Sequence, residues 1–182
     1  MTGTLVIVTG APGSGKSTIA ARYAERAEHP TVHLVTDHFY RYIRSGWIAP
    51  YLPEAQRQNE VVIDAIATAA AAYATGGYDV VIDGIVGPWF LDAFTRTADD
   101  RGLDLHYLVL RPDLESTIAR ALARTEDELR DDSVVRDLYE QFAELGRFAG
   151  HVLDTSGLDV DDTVDAVRTL VAGGHLRVAG LG

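Results

Sequence analysis

One stretch of nine residues, "GAPGSGKST" (10–18), restricts the fold of this chain more than any other. It follows the β-branched apolar run "TLVIVT" (4–9) and opens a helical pattern that continues to about Arg26. Gly10, Gly15, Lys16 and Ser17 take the spacing G-x-x-x-x-G-K-[ST], with Ala11, Pro12, Gly13 and Ser14 as the arch between them. Glycines allow a backbone to turn successive N–H groups toward one anion, and the following helix aims its positive end at the same point. The spacing predicts Lys16 on the β- and γ-phosphates of a nucleotide, the Ser17 hydroxyl on Mg²⁺, and Thr18 continuing the cradle into the helix. A strand has to enter such a loop and a helix has to leave it, which commits the chain to alternating strands and helices.

Composition sharpens this reading at one point. Of 16 basic residues 15 are arginine, so Lys16 is the only lysine in the chain. A compact ammonium is required there, where a planar guanidinium would not serve. The formal net charge of −11 opposes nonspecific binding to nucleic acid or to anionic membranes. With no cysteine, disulfides, thiolate metal sites and cysteine nucleophiles are excluded. No apolar run approaches the roughly 20 residues of a membrane span, and no signal peptide is expected, so the cytoplasm is the expected compartment.

Further strands are expected at "TVHLVTD" (31–37), "YDVVIDG" (78–84), "LDLHYLVL" (103–110) and "HVLDTSG" (151–157). Between them lie an alanine-rich helix from about Glu54 to Thr75, closed by Gly76 and Gly77, and a helix "PDLESTIARALAR" with proline in its first turn. An acidic, mobile "TEDELRDD", a helix from about Ser133 to Leu145, and a last helix "DVDDTVDAVRTLVAG" complete the chain. The alternation predicts parallel βαβ units in a three-layer α/β/α sandwich. A single domain is expected over 1–173, with a small lid at about 124–136 and a frayed tail over 174–182.

The strand "VVIDG" ends on Asp83, the position that holds Mg²⁺, directly or through water, in proteins with this loop. A guanine-reading Asn-Lys-x-Asp motif cannot be built without a second lysine, and a ring-forming motor would need a longer chain. The order of "GAPGSGKST", "VTDHF", "VVIDG", "LVLRPDLESTIARALAR" and "HVLDTSG" resembles the nucleoside-monophosphate-kinase-like branch of P-loop kinases. Within it, the gluconate and shikimate kinases and the chloramphenicol and tunicamycin phosphotransferases, often labelled AAA-family ATPases, are the nearest in pattern. The resemblance implies a five-stranded sheet in the order 2-3-1-4-5 and ATP with Mg²⁺ as phosphoryl donor. It also implies that Arg120 and Arg124, spaced i,i+4 on one helical face, stack on adenine and close over the phosphates, with Arg130 and Arg136 as weaker lid candidates. Asp154, Thr155 and Ser156 then fall in the adenine loop. Asp37-His38-Phe39 departs from the Asp-x-Asp of shikimate kinases, and the acidic-arginine signature of gluconate kinases is missing, so neither substrate is supported.

Ligands of open α/β sheets gather at the C-terminal strand ends. Asp37 stands there beside the P-loop and Asp83, where a carboxylate can take the proton of an attacking hydroxyl. The rings of His38, Phe39, Tyr40, Tyr42, Trp47 and Tyr51 read as walls for a substrate with a flat or apolar surface, with Trp89 facing the same cleft. Arg41, Arg44 and Arg57 read as its polar anchors. The expectation is an ATP-dependent kinase of a small hydroxyl compound, with antibiotics and other natural products as candidates, acting as monomer or homodimer. The alternatives are a nucleotide kinase, with Arg41 and Arg44 clamping the acceptor phosphate, and a regulatory module that hydrolyses ATP slowly.

Overall fold

Five short runs of Val, Ile and Leu pair in parallel to form the sheet. The structure is a computed structural model and describes residues 2–123 and 132–178. Strands β1 (Leu5–Thr9), β2 (Thr31–Val35), β3 (Asp79–Asp83), β4 (Leu105–Leu110) and β5 (Val152–Leu153) lie in the order β2-β3-β1-β4-β5. Every ladder is parallel, and this is the order the resemblance implied.

Side chains alternate across the pleat, and both faces of the central strand are buried. Leu5 and Ile7 point into one core with α3 (Gln56–Thr75) and α4 (Leu91–Arg101). Val6 and Val8 point into the other, with Ile19 and Ala20 of α1 (Lys16–Glu25) and Val164 and Val167 of α7 (Val160–Ala172). Strands buried on both faces read as continuous apolar runs, because helices cover both sides. The three expected layers are present.

Several boundaries differ from expectation for local reasons. The second strand stops at Val35, and Thr36–Arg41 forms the short helix α2, with Asp37 in its first turn. Helix α5 (Leu114–Leu122) begins after Pro112, because the Asp113 carboxylate caps it by accepting from the Ser116 N–H at 2.8 Å. Helix α6 is Asp132–Gln141, and a 3-10 stretch, Gly146–His151, leads into β5. Of the expected lid, residues 124–131 lie outside the described residues, while 132–136 are the first turns of α6. The tail is ordered through Val178: Leu176 is buried, and the Leu176 carbonyl and Val178 N–H bond to β4 at Tyr107 and Leu105. Residues 179–182 lie outside the described residues. Among the described residues, no helix is long and apolar enough to cross a membrane.

Helix α4 was not expected at all. Its sequence "LDAFTRTADDR" is mostly polar, yet Leu91, Phe94, Thr95 and Ala98 recur at i, i+3, i+4 and i+7 and are all buried. Phe94 is completely buried against the sheet. Truncating it, Phe94→Ala, is expected to cost about 3–5 kcal/mol in urea unfolding. Arg96→Ala, which breaks only a 3.9 Å exposed pair with Asp64, should change the same measurement by less than about 0.5 kcal/mol.

Candidate active site

The strand-to-helix loop after β1 is shaped by close backbone approach. Gly13 has φ 88°, and a Cβ there would lie 2.1 Å from the Thr117 carbonyl oxygen of α5. Only glycine fits between loop and helix. The Ser14 N–H bonds to the Ala11 carbonyl at 3.1 Å, closing the arch, and α1 starts directly at Lys16 without an acid in its first turn. The first turn of α1 itself therefore adds no negative charge at that helix end. Lys16 is 6% exposed, with Nζ donating to the Ala11 carbonyl at 3.5 Å. Gly10, Ala11, Pro12 and Ser14 are buried, Gly15 is half-buried, and Ser17 and Thr18 are exposed on the rim.

Asp83 closes the same edge. Its Oδ1 accepts from the Ser17 hydroxyl at 3.2 Å, and its Oδ2 is buried without a hydrogen bond. The basic group facing Oδ2 is His33 Nε2 of β2, at 3.5 Å. A serine hydroxyl on a carboxylate, with one buried oxygen unsatisfied, fits a Mg²⁺ ion that arrives with phosphate and water. Mg²⁺ keeps several waters and takes only one or two protein ligands. His33 was missed in the sequence. Strand parity was the available signal: His33 pairs with Val81, two residues before Asp83 on the same face of β3.

Beside this edge opens a cavity of about 690 Å³. Helix α2 contributes Thr36, Asp37, Tyr40 and Arg41, and the connection to α3 contributes Trp47 and Tyr51. Gln56 and Asn59 come from α3, Ile85 and Trp89 from the loop after β3, and Val134, Asp137, Leu138 and Gln141 from α6. Thr36 is wedged against Gly84, where a Cβ would meet the Thr36 hydroxyl at 1.9 Å. That contact pins the start of α2 to the end of β3.

Asp37, Arg41, Trp47, Tyr51 and Trp89 thus meet in one cavity, as the sequence suggested. His38, Phe39, Tyr42, Arg44 and Arg57 are not part of its wall. Helical periodicity explains most of this: on α2 the positions 36, 37, 40 and 41 share a face, which turns 38, 39 and 42 away. Phe39 packs on the core and edge-on to Tyr42 at 5.8 Å. Arg57 points to solvent and pairs with Glu60 at 3.4 Å. The α6 face escaped the sequence reading, although Val134, Asp137, Leu138 and Gln141 repeat at i, i+3, i+4 and i+7.

On the far side of the P-loop, the Asp154 carboxyl is held below its usual range by hydrogen bonds from Ser156, whose N–H donates to it at 2.8 Å. The Ser156 hydroxyl accepts from the Asp113 N–H at 2.9 Å, tying this loop to the start of α5, and Thr155 is buried. Arg120 is exposed on α5, one turn beyond the residue that touches Gly13. Arg124 and Arg130 lie outside the described residues, and Arg136 pairs with Asp132 at 2.8 Å.

A family described as AAA domain matches residues 5–145. The chain belongs to that family. Among solved structures it is similar to the Deinococcus radiodurans tunicamycin resistance protein, at 16% identity and TM-score 0.70, covering 93% of this chain and 95% of that one. A sugar kinase from Janibacter sp. HTCC2649 gives 17% identity and TM-score 0.69 over the same shares. A gluconokinase from Sinorhizobium meliloti 1021 gives 19% and 0.65, over 94% and 92% of the two chains. At these identities the shared property is the P-loop kinase fold. A curated cysteine–tRNA ligase of Marinobacter nauticus is 29% identical over 90 residues, 48% of this chain, and the chain spans about a fifth of that enzyme's length (19%).

Tyr40, on the cavity wall, has its phenol pushed up to about 12, first by burial and then by the neighbouring Asp37 carboxylate. Tyr107 is raised by burial, and Tyr23 by burial and then by Asp79. The folded state therefore holds these protons more tightly than the unfolded chain does. For Tyr40 that stabilisation is complete below pH 10 and is lost as the pH rises toward about 12. The urea midpoint should fall through that window, and less steeply in Tyr40→Phe; a flat midpoint would contradict the burial of these rings.

Proposed function

We propose that this member of the AAA domain family is an ATP-dependent phosphotransferase that moves the γ-phosphoryl group of ATP to a hydroxyl of a small molecule. The observation that carries the reading is adjacency. The glycine loop with Lys16, the Ser17–Asp83 pair and a cavity bearing Asp37 stand at one edge of one sheet.

In this reading the loop N–H groups and the buried Lys16 ammonium bind the triphosphate and orient its terminal phosphorus toward the cavity. Ser17 and Asp83 hold Mg²⁺, which supplies charge neutralisation on the phosphates when bound. Asp37 accepts the proton from the acceptor hydroxyl as that oxygen bonds to the γ-phosphorus and the bond to the β,γ-bridging oxygen breaks, leaving ADP. Arg120 of α5 and Arg124 are, in this reading, the cations for the transferred group. Asp154, Thr155 and Ser156 frame the base.

Phosphate acceptors fit less well. Arg41 lines the cavity without Arg44 beside it, so the two-arginine clamp expected of a nucleotide kinase is not assembled. The Deinococcus radiodurans neighbour is named for tunicamycin resistance, and an antibiotic or other natural product is the acceptor class we propose. The charge of −11 argues against nucleic-acid and anionic-membrane partners, and we propose a cytoplasmic enzyme acting as monomer or homodimer.

Asp37→Asn is the decisive variant. It should bind ATP·Mg²⁺ within about twofold of the parent by calorimetry, while acceptor-stimulated ADP release from pooled hydroxyl compounds falls by about 10²–10⁴-fold. Equal turnover by the variant would remove Asp37 from the mechanism. Lys16→Ala should lose the calorimetric ATP signal itself.

A further inference from the structure

The acceptor cavity carries a polar group whose need is specific. Asn59 is 6% exposed and lines the cavity from α3. Its Nδ2 donates to the Pro50 carbonyl at 2.8 Å, and its Oδ1 is buried with no hydrogen bond. The Pro50 oxygen can be met only by an N–H, so the amide orientation is fixed and Oδ1 remains as a pure acceptor. A buried acceptor left unmet is costly, and a ligand O–H or N–H at that spot relieves the cost.

Charge on the wall points the same way. Among the described lining residues the charged groups are Asp37, Asp137 and Arg41: two carboxylates against one guanidinium. Asp137 faces in from α6, far from Asp37 in sequence, so the negative character is shared by two walls and not confined to the proton-accepting end. Trp47, Trp89 and Tyr51 supply half-exposed rings between these polar points. A carboxylate or phosphate ester would enter against net negative charge and find an acceptor where it needs a donor.

We infer that the acceptor is a neutral or cationic amphiphilic polyol or amino-alcohol, with Asn59 reading one of its O–H or N–H donors and Asp137 selecting against anions. This rests on the proposal that the cavity holds the phosphoryl acceptor, but it concerns binding alone.

The test therefore omits ATP. The chain contains two tryptophans, Trp47 and Trp89, and both line this cavity, so intrinsic tryptophan fluorescence reports on its occupancy. The probes are hexyl β-D-glucoside, its 2-amino-2-deoxy analogue and the hexyl glucosiduronate, which differ in charge but share one shape. The neutral and amino probes should give saturable fluorescence changes, with the uronate at least about tenfold weaker, a gap that added salt narrows. Asp137→Asn, an exposed site that tolerates the change, should shrink the amine-to-uronate ratio by about fivefold. Asn59→Leu should weaken the neutral probe by about tenfold while leaving that ratio unchanged. Equal or tighter uronate binding, no response to any probe, or ratios unmoved by Asp137→Asn would overturn the inference. Binding as expected without phosphoryl transfer on adding ATP would instead leave the inference standing and sink the kinase reading.

Discussion

Strand β3 is hydrogen-bonded in parallel on both sides, to β1 and to β2, in a register that brings Val8 and Val35 level with Asp83. Parallel pairing makes all three chains leave the sheet at the same edge. The phosphate loop follows β1, Asp83 ends β3, and α2 with Asp37 follows β2. An antiparallel neighbour would have carried one of these to the opposite end. Two small contacts finish the junction: the Val86 N–H donates to the Thr9 hydroxyl at 2.8 Å, and Thr36 occupies the space a side chain at Gly84 would take. The site is thus a consequence of ladder register, held by a core that covers both sheet faces.

Polar satisfaction fails where the chemistry lies. Among the described residues eight carry buried side-chain polar atoms without a hydrogen-bond partner, and five of them are Ser14, His33, Asn59, Asp83 and Thr155. Those five surround the loop and cavity, whereas Val, Ile and Leu fill the layers above and below. Natural folds tolerate such local costs at working sites and offset them with consistent packing elsewhere. The pattern locates the cleft independently of the motif.

What was legible in the sequence was local. Gly10 through Ser17, the apolar runs of the strands and the alanine-rich α3 each carry their signal within a few residues, and Asp37 and Asp83 were found because they end such runs. Helix α4 was hidden because seven of its eleven residues are polar, so Phe94 and its partners stand out only at helical spacing. His33, Asn59 and Asp137 acquire meaning through residues tens of positions away: Asp83 for the first, the cavity walls for the others. The reverse error has the same origin. His38, Phe39 and Tyr42 looked like cavity residues because they are neighbours of Asp37 in sequence, but a helix separates adjacent side chains by about 100°, and α2 sends them elsewhere.

The central claim is that the glycine loop delivers a terminal phosphate to the mouth of the Asp37 cavity. A crystal structure with Mg²⁺ and a non-hydrolysable ATP analogue tests it directly. The account predicts the triphosphate wrapped by residues 10–17, the metal at Ser17 and Asp83, and the γ-phosphate facing the space between Asp37 and Trp89. A nucleotide bound elsewhere, or a γ-phosphate turned away from that cavity, would contradict it.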